Sequence, residues 1–297
     1  MKPRQPKSAP AGLPRLPPRG RDSSKRDYGR VVVVGGAAGM AGAPALAAMA
    51  ALKSGAGLVE AVVPESVAAI TASFDPCVMT HACPAGRDGT CDSAALTVIR
   101  TRLAEADAVA IGPGLGRSAA VTEIVQLLWR EAPQPAVFDA DALFAISHLD
   151  RGMLSVHAGP RILTPHTGEM MRLLGGDPRS EQARDRPLLE GRAAELATAI
   201  DAVIVLKGPD TLVVDRQRQA HNDTGNPGMA TGGTGDVLTG IIAALLAHRM
   251  APFDAARLGA WIHGRAGDLA AAEIGQVSLT ARDLLDWLPD AFRSVVE

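Results

Sequence analysis

The residues best placed to do chemistry stand in the run Gly232-Gly233-Thr234-Gly235-Asp236, which leads directly into an apolar stretch, Val237-Leu238 and then Ile241 to Ala247. Six glycines fall in the sixteen residues from Gly225 to Gly240. Glycine costs roughly 1 kcal/mol relative to alanine in a regular element, so this density points to a close approach of something to the main chain. A glycine run just ahead of an apolar helix aims several unpaired amides at one point, which is how a helix start receives an anion. The competing reading makes Thr234 or Asp236 a helix cap worth about 1 kcal/mol, but a cap needs one such residue and no row of glycines. The segment is neither a Walker A loop, since GxxxxGK[ST] is absent, nor part of a GxGxxG fingerprint, which Gly35-Gly36 also fails to supply.

A helix terminus favours an anion by only about 0.3–1 kcal/mol, up to roughly 2 when sheltered, too little for a polyphosphate. A divalent cation is therefore expected, and oxygen ligands suit Mg2+. Glu169, Asp139 and Asp141 are the candidate ligands, directly or through water, and each also reads as a capping or first-turn charge. Lys207, followed by Gly208, reads equally as a solvated residue or as a phosphate contact. Among amides that hold a phosphoryl group, Asp236 is placed to take the proton of a hydroxyl attacking phosphorus. The chemistry implied is phosphoryl transfer from a nucleotide to a hydroxylated small molecule.

From Arg30 onward, short β-branched runs alternate with Ala- and Leu-rich segments at helical spacing. Strands are expected at 30–35, 57–63, 77–82, 108–111, 136–139, 161–163 and 202–206, and helices at 44–54, 92–103, 119–130 and 188–199. Thr211–Val214 and Arg218–Asn222 form a hairpin pattern, and Gly235 to Phe292 is almost wholly helical. Strand, crossover helix, strand, repeated, specifies an α/β fold with a mostly parallel sheet covered by helices on both faces. Ligands bind at the carboxyl ends of such strands. Gly35-Gly36, Gly112-Pro113-Gly114-Leu115-Gly116, Asp139/Asp141, His166/Glu169 and Lys207 all fall there, though the Gly112–Gly116 loop alone reads as turn geometry.

The 297 residues, 47% hydrophobic, suffice for one domain at about 28–297 behind a basic, proline-rich leader at 1–27. Residues 1–30 hold nine Lys and Arg, two Asp and six Pro, and read as a mostly extended solvated tail with no helix of its own, ahead of a polyanion-binding arm or a transit sequence. A net charge of −2 gives no case for nucleic acid as the main partner, and no apolar run reaches the roughly 20 residues that span a bilayer. Cys77, Cys83 and Cys91 lack CxxC spacing, so with nearby His81 they read as idle thiols in a reducing cytoplasm rather than a zinc site.

GNPGMATGGTGDVLTGIIAALLA, together with ILTPHTGE, VLKGPDT, AIGPGLG, VFDADAL and GGAAGMAGAPALAAMAALKSGAGLV, resembles the ADP-dependent NAD(P)H-hydrate dehydratases of ribokinase-like fold, over about residues 14–290. The resemblance implies a repair reaction in which the S-epimer of NADHX or NADPHX returns to NADH or NADPH while ADP yields AMP and phosphate, by phosphorylation of the C6 hydroxyl and elimination. It implies that Lys207, Gly208, Pro209, Asp210, Thr211 and Gly235 meet AMP, with Gly232, Gly233 and Thr234 in the same nucleotide cradle. Ala43, Gly112, Gly114, Gly116, His166 and Asp236 are then expected at the hydrated dinucleotide, with Asp236 as base and Glu169 near Mg2+. A homotetramer is implied, as is a functional link to an NAD(P)HX epimerase, expected on a separate chain. Thr167 and Met40 depart from the family's usual proline and aromatic at those places, and Met40 bears on substrate packing. Two alternatives remain: a kinase of a vitamin-precursor alcohol or sugar, told apart by ATP use and a stable phosphorylated product, and a nucleotide-binding protein without turnover.

Overall fold

The computed structural model describes residues 9–16 and 18–296. Nine strands form one sheet: β1 Arg30–Val34, β2 Leu58–Pro64, β3 Met79–Cys83, β4 Ala108–Ile111, β5 Ala136–Phe138, β6 Arg161–Leu163, β7 Val203–Leu206, β8 Thr211–Val214 and β9 Gln219–Asn222. Their order is β3-β2-β1-β4-β5-β6-β7-β8-β9, parallel through β7 and antiparallel across β8 and β9. The expected mostly parallel sheet is present. Successive side chains of a strand point to opposite faces, and β1 shows the consequence. Val31 and Val33 enter one core, Val32 and Val34 the other.

The first core is closed by α1 Gly42–Lys53, α2 Glu65–Ala72, α9 Thr234–Ala247, α10 Pro252–Ile274 and α11 Ala281–Val296. The second is closed by α3 Ala95–Leu103, α4 Ala119–Glu131, α5 Asp141–Ile146, α6 Arg151–Leu154, α7 Thr167–Leu173 and α8 Arg186–Ile200. The short helices α2, α5, α6 and α7 are not legible as separate elements in the sequence, because four to eight residues span barely one or two turns of a 3.6-residue period. Helix α9 is buried on every side from Val237 to Ala247, and the sheet presents it with alanines, Ala108 and Ala110 of β4.

The described part of the leader departs from the solvated tail expected of it. Leu13 and Leu16 pack against the first core, the Gly12 carbonyl accepts from Arg257 at 2.8 Å, and Arg19 donates to the Gly55 carbonyl at 2.6 Å while lying over the Tyr28 ring. A 3-10 turn at Lys25–Tyr28, capped reciprocally by Ser24 and Asp27, adds helical structure to a segment read as extended. The basic and proline residues before Ala9, and Pro17, lie outside the described residues. Cys83 and Cys91 are buried free thiols and Cys77 an exposed one, while His81 turns away from them to Glu60 at 2.9 Å. Among the described residues no helix is long and apolar enough to cross a membrane.

Helices α1 and α9 touch through backbone. A β-carbon added to Gly240 would stand 2.0 Å from the Ala47 carbonyl oxygen, whereas one added to Gly232 meets nothing within 4 Å. Gly240→Ala must therefore push α1 off α9, at a cost of about 1–3 kcal/mol. Thermal unfolding should show a clear loss for Gly240→Ala and almost none for Gly232→Ala; equal behaviour would contradict this packing.

Candidate functional site

The chain runs β1, β2, β3 toward one edge and then returns to β4 on the other side of β1, so the sheet's switch point lies between β1 and β4. Crevices at such points, outside the strands' carboxyl ends, are where open α/β sheets hold ligands. Two glycine loops line it and touch: the Gly36 amide donates to the Pro113 carbonyl at 2.9 Å. Gly112 is required by its conformation, at φ 121° with Asp139 O only 1.8 Å from where a β-carbon would stand. A β-carbon added to Gly114 would stand 3.0 Å from the Ala43 side chain, and the Gly116 amide donates to Asp141 Oδ2 at 2.9 Å. Arg117 Nε donates to the other oxygen of Asp141 at 2.8 Å. Asp141 thus ties the loop down rather than standing free for a cation. Met40, at the position where the resembling family favours an aromatic, is 48% exposed at this mouth.

Next along the rim, β5 ends in Asp139, which is 1% exposed. Its Oδ1 accepts from Lys207 Nζ and from Thr164 Oγ1, both at 2.8 Å, and its Oδ2 accepts from Thr239 Oγ1 at 2.9 Å. A buried carboxylate with three donors is no vacant metal ligand, which corrects that part of the expectation for Asp139. Lys207 is not the solvated residue that was one of its two readings: its side chain is 21% exposed and also reaches Glu169 Oε2 at 3.6 Å. Burial opposes its charge, yet the carboxylates of Asp139 and Glu169 prevail and hold its pKa above the ordinary lysine value.

Residues 207–211 follow β7. Arg186 grips this stretch from below, donating to the carbonyls of Leu206, Lys207 and Asp210 at 3.0 Å each. His166 caps α7: its Nδ1 accepts from the amides of Gly168 and Glu169 at 3.0 and 3.3 Å, while Glu169 Oε2 accepts from the His166 amide at 2.8 Å. The capping reading of Glu169 therefore holds, and Oε1 faces His166 Nε2 at 3.5 Å.

The glycine run ends at Gly233, whose left-handed backbone (φ 91°) opens α9 with no side-chain cap. Thr234, one of two residues read as a possible cap, instead donates its hydroxyl to the carbonyls of Met229 and Thr231 at 3.0 and 3.1 Å. His263 Nε2 pairs with the Thr234 carbonyl at 2.8 Å, and burial drops its pKa to about 4, so it serves as a neutral strut. Gly235 lies over the ion pair: a β-carbon there would be 3.4 Å from Lys207 Nζ and 3.6 Å from Asp139 Oδ2. Asp236 comes next, and its pKa is pushed up to about 7, first by burial and then by Asp139, Asp141 and Glu169, against the pull of Lys207. Carboxylates outnumber the ammonium here, the charge balance that a bound cation completes. Among the described residues no three His, Cys, Asp or Glu side chains converge as a metal cage.

The structure brings Asp236, Gly235, Lys207 and Glu169 together and sets Ala43 beside Gly114. Sequence reading missed the supports: Thr164 and Thr239 on Asp139, Arg186 beneath the 207–211 stretch, and His263 behind α9. Thr239 alone carried a signal, as a hydroxyl within an apolar helix three residues beyond Asp236.

An ammonium, a carboxylate near neutrality and bare helix amides at the carboxyl end of the sheet are the parts phosphoryl transfer uses, and the architecture is that of the ribokinase-like class. A ribokinase-like superfamily protein from Enterococcus faecalis is similar to this chain with a TM-score of 0.75 and 28% identity, over 94% of this chain and 91% of that one. Residues 31–290 match the NAD(P)H-hydrate dehydratase family, and the chain belongs to that family. It is 47% identical over 283 residues to the bifunctional NAD(P)H-hydrate repair enzyme Nnr of Moorella thermoacetica, which is 95% of this chain and 52% of the relative. The chain thus spans about half the length of the curated relatives it matches. The ADP/ATP-dependent NAD(P)H-hydrate dehydratase of Bacillus subtilis, co-crystallized with ATP and Mg2+, is 31% identical with a TM-score of 0.77, over 94% of each chain.

The raised pKa of Asp236 has a cost that pH reveals. Its folded value, about 7 against an ordinary 3.8, means the folded state holds a proton that the unfolded state releases, so stability falls as pH rises from about 4 to 7. Asp236→Asn removes that loss. Unfolding of the ligand-free protein should show the variant nearly equal to wild type near pH 4 and more stable by on the order of 4 kcal/mol at pH 8; a variant that is less stable at pH 8 contradicts the assignment.

Proposed function

We propose that this chain catalyses the ADP-dependent dehydration of the S-epimer of NADHX or NADPHX, giving NADH or NADPH with AMP and phosphate. The observation that carries the reading is Asp236: a carboxylate poised near neutrality, with no hydrogen bond to any described residue, in the uncapped first turn of α9 beside Lys207. In this reading the free amides at 234–236 and the Lys207 ammonium hold the phosphoryl group to be transferred. Asp236 accepts the proton of the C6 hydroxyl as that oxygen attacks the β-phosphorus of ADP. The new P–O bond forms as the bond from phosphorus to the oxygen it shares with AMP breaks, and AMP departs with that electron pair. Elimination follows: the C6–O bond breaks with its electron pair leaving on phosphate, the neighbouring ring carbon gives up its proton to that departing phosphate, and the electrons of the broken C–H bond restore the nicotinamide double bond. Hydroxide is a poor leaving group and phosphate a good one, which is why a nucleotide is consumed.

Glu169, an oxygen donor in a site with excess negative charge, suits Mg2+ directly or through water, and the metal would supply neutralisation of the phosphates when bound. Residues 207–211 are assigned to the AMP moiety, on a stretch that Arg186 preorganises. Ala43, Gly112, Gly114 and Gly116 are assigned to the hydrated dinucleotide along the switch-point crevice, and His166, just beyond β6, to the same ligand. The same reading carries a homotetrameric cytoplasmic enzyme, fed by an epimerase activity that interconverts the two hydrates.

Purified protein with Mg2+, ADP and an equilibrated mixture of NADHX epimers should show reduced-nicotinamide absorbance rising until the S-epimer is exhausted, with AMP formed in equal amount. No rise with ADP or ATP would contradict the proposal, and a stable phosphorylated product would favour a kinase. Asp236→Asn should lower kcat by about 10²–10⁴-fold with little change in the KM for ADP, as loss of a general base does. Near-normal turnover would remove Asp236 from that role.

A further inference from the structure

Asp139 joins four elements that the chain brings together from distant places. It closes β5, and its side chain reaches Thr164 at the end of β6, Lys207 just beyond β7 and Thr239 in the second turn of α9. The backbone that presents it is strained: Ala140, the next residue, has φ 51°, a left-handed conformation that L-residues avoid. Its own carbonyl leaves room only for a glycine at 112. A buried ion pair is weak evidence for stability, since apolar side chains of similar size often do as well. What this pair does supply is geometry. Gly235 lies over the carboxylate and ammonium together, which sets the first turn of α9 beside Lys207 Nζ.

We propose that Asp139 is a positioning residue for nucleotide binding: by holding the Lys207 ammonium on one oxygen and Thr239 of α9 on the other, it fixes the spacing between the lysine and the α9 amides so that both meet the same phosphate. The inference deepens the function proposed above and rests on its placing of the ADP phosphates. Other charged groups facing Lys207 are Glu169 at 3.6 Å and, more distantly, Asp236. Glu169 is itself held by the His166 amide, so when Asp139 is lost the lysine is drawn toward α7 and away from Gly235.

The test is a double-mutant cycle on ADP affinity, measured by calorimetry with Mg2+ on the full chain as wild type, Lys207→Met, Asp139→Asn and the pair combined. Because Asp139 is an anion near an anionic ligand, its removal also changes affinity through charge alone, and the cycle cancels that common effect. Lys207→Met should weaken ADP about 10- to 100-fold in the wild-type background, the range of a charge-assisted hydrogen bond, and less than about threefold in the Asp139→Asn background. An equal loss in both backgrounds overturns the proposal. Should Asp139→Asn fail to fold, Thr239→Val takes its place: Lys207→Met then costs less in that background than in wild type, and an equal cost again overturns it. Wild type that binds ADP but dehydrates neither hydrate would refute the proposed function while leaving the cycle decisive, and wild type that does not bind ADP would refute both.

Discussion

The buried contact between Asp139 and Lys207 constrains everything else at the rim of the sheet. A carboxylate that is 1% exposed must be paired, and it is paired to a lysine just beyond one strand and to hydroxyls just beyond another and on a helix. That requirement sets the register between the strand ends and the start of α9. The main chain at Gly235 passes just above the pair, within ordinary contact distance of both partners. Asp236 lies beside the same cluster: burial first, then the carboxylates of Asp139, Asp141 and Glu169, raise its proton affinity toward neutrality against the pull of Lys207.

The apolar architecture serves that geometry. Helix α9 can reach the centre of the sheet because the strands beneath it present alanines and because Gly240 lets α1 approach backbone to backbone. With α9 fixed from both sides, its first turn is rigidly aimed, and His263 holds the Thr234 carbonyl from behind. The amides at 234–236 are left without a side-chain cap because the cap position is Gly233, and the Thr234 hydroxyl, already inside the helix, turns to the preceding loop. Unsatisfied amides on a rigid support are preorganised for an anion, with little reorganisation left for the moment of reaction.

Much of this was legible in the chain itself. Arg161–Leu163 and Thr211–Val214 match the expected strands to the residue, and α4 differs by one position, because β-branched runs and a Ser118 cap leave strong local marks. The glycine run, Asp236 and Lys207 were found because their types are unusual at strand and helix ends. The supports were not, for a physical reason: Asp139 meets partners 25, 68 and 100 residues away, a proximity no local pattern encodes. For the same reason Asp139 and Asp141 read as metal ligands until their donors were seen. The docking of Leu13, Leu16 and Arg19 and the Lys25–Tyr28 turn were likewise hidden, since the prolines that forbid a long helix do not forbid packing.

The central claim is that the substrate's hydroxyl leaves as phosphate. NADHX carrying 18O in its C6 hydroxyl decides this directly when turned over with ADP and Mg2+ and analysed by mass spectrometry. Phosphorylation followed by elimination leaves the ring oxygen on phosphorus, so the account predicts 18O in the inorganic phosphate and none in water. Label released into water, with unlabelled phosphate, would mean that ADP hydrolysis and dehydration are separate events and would contradict the account.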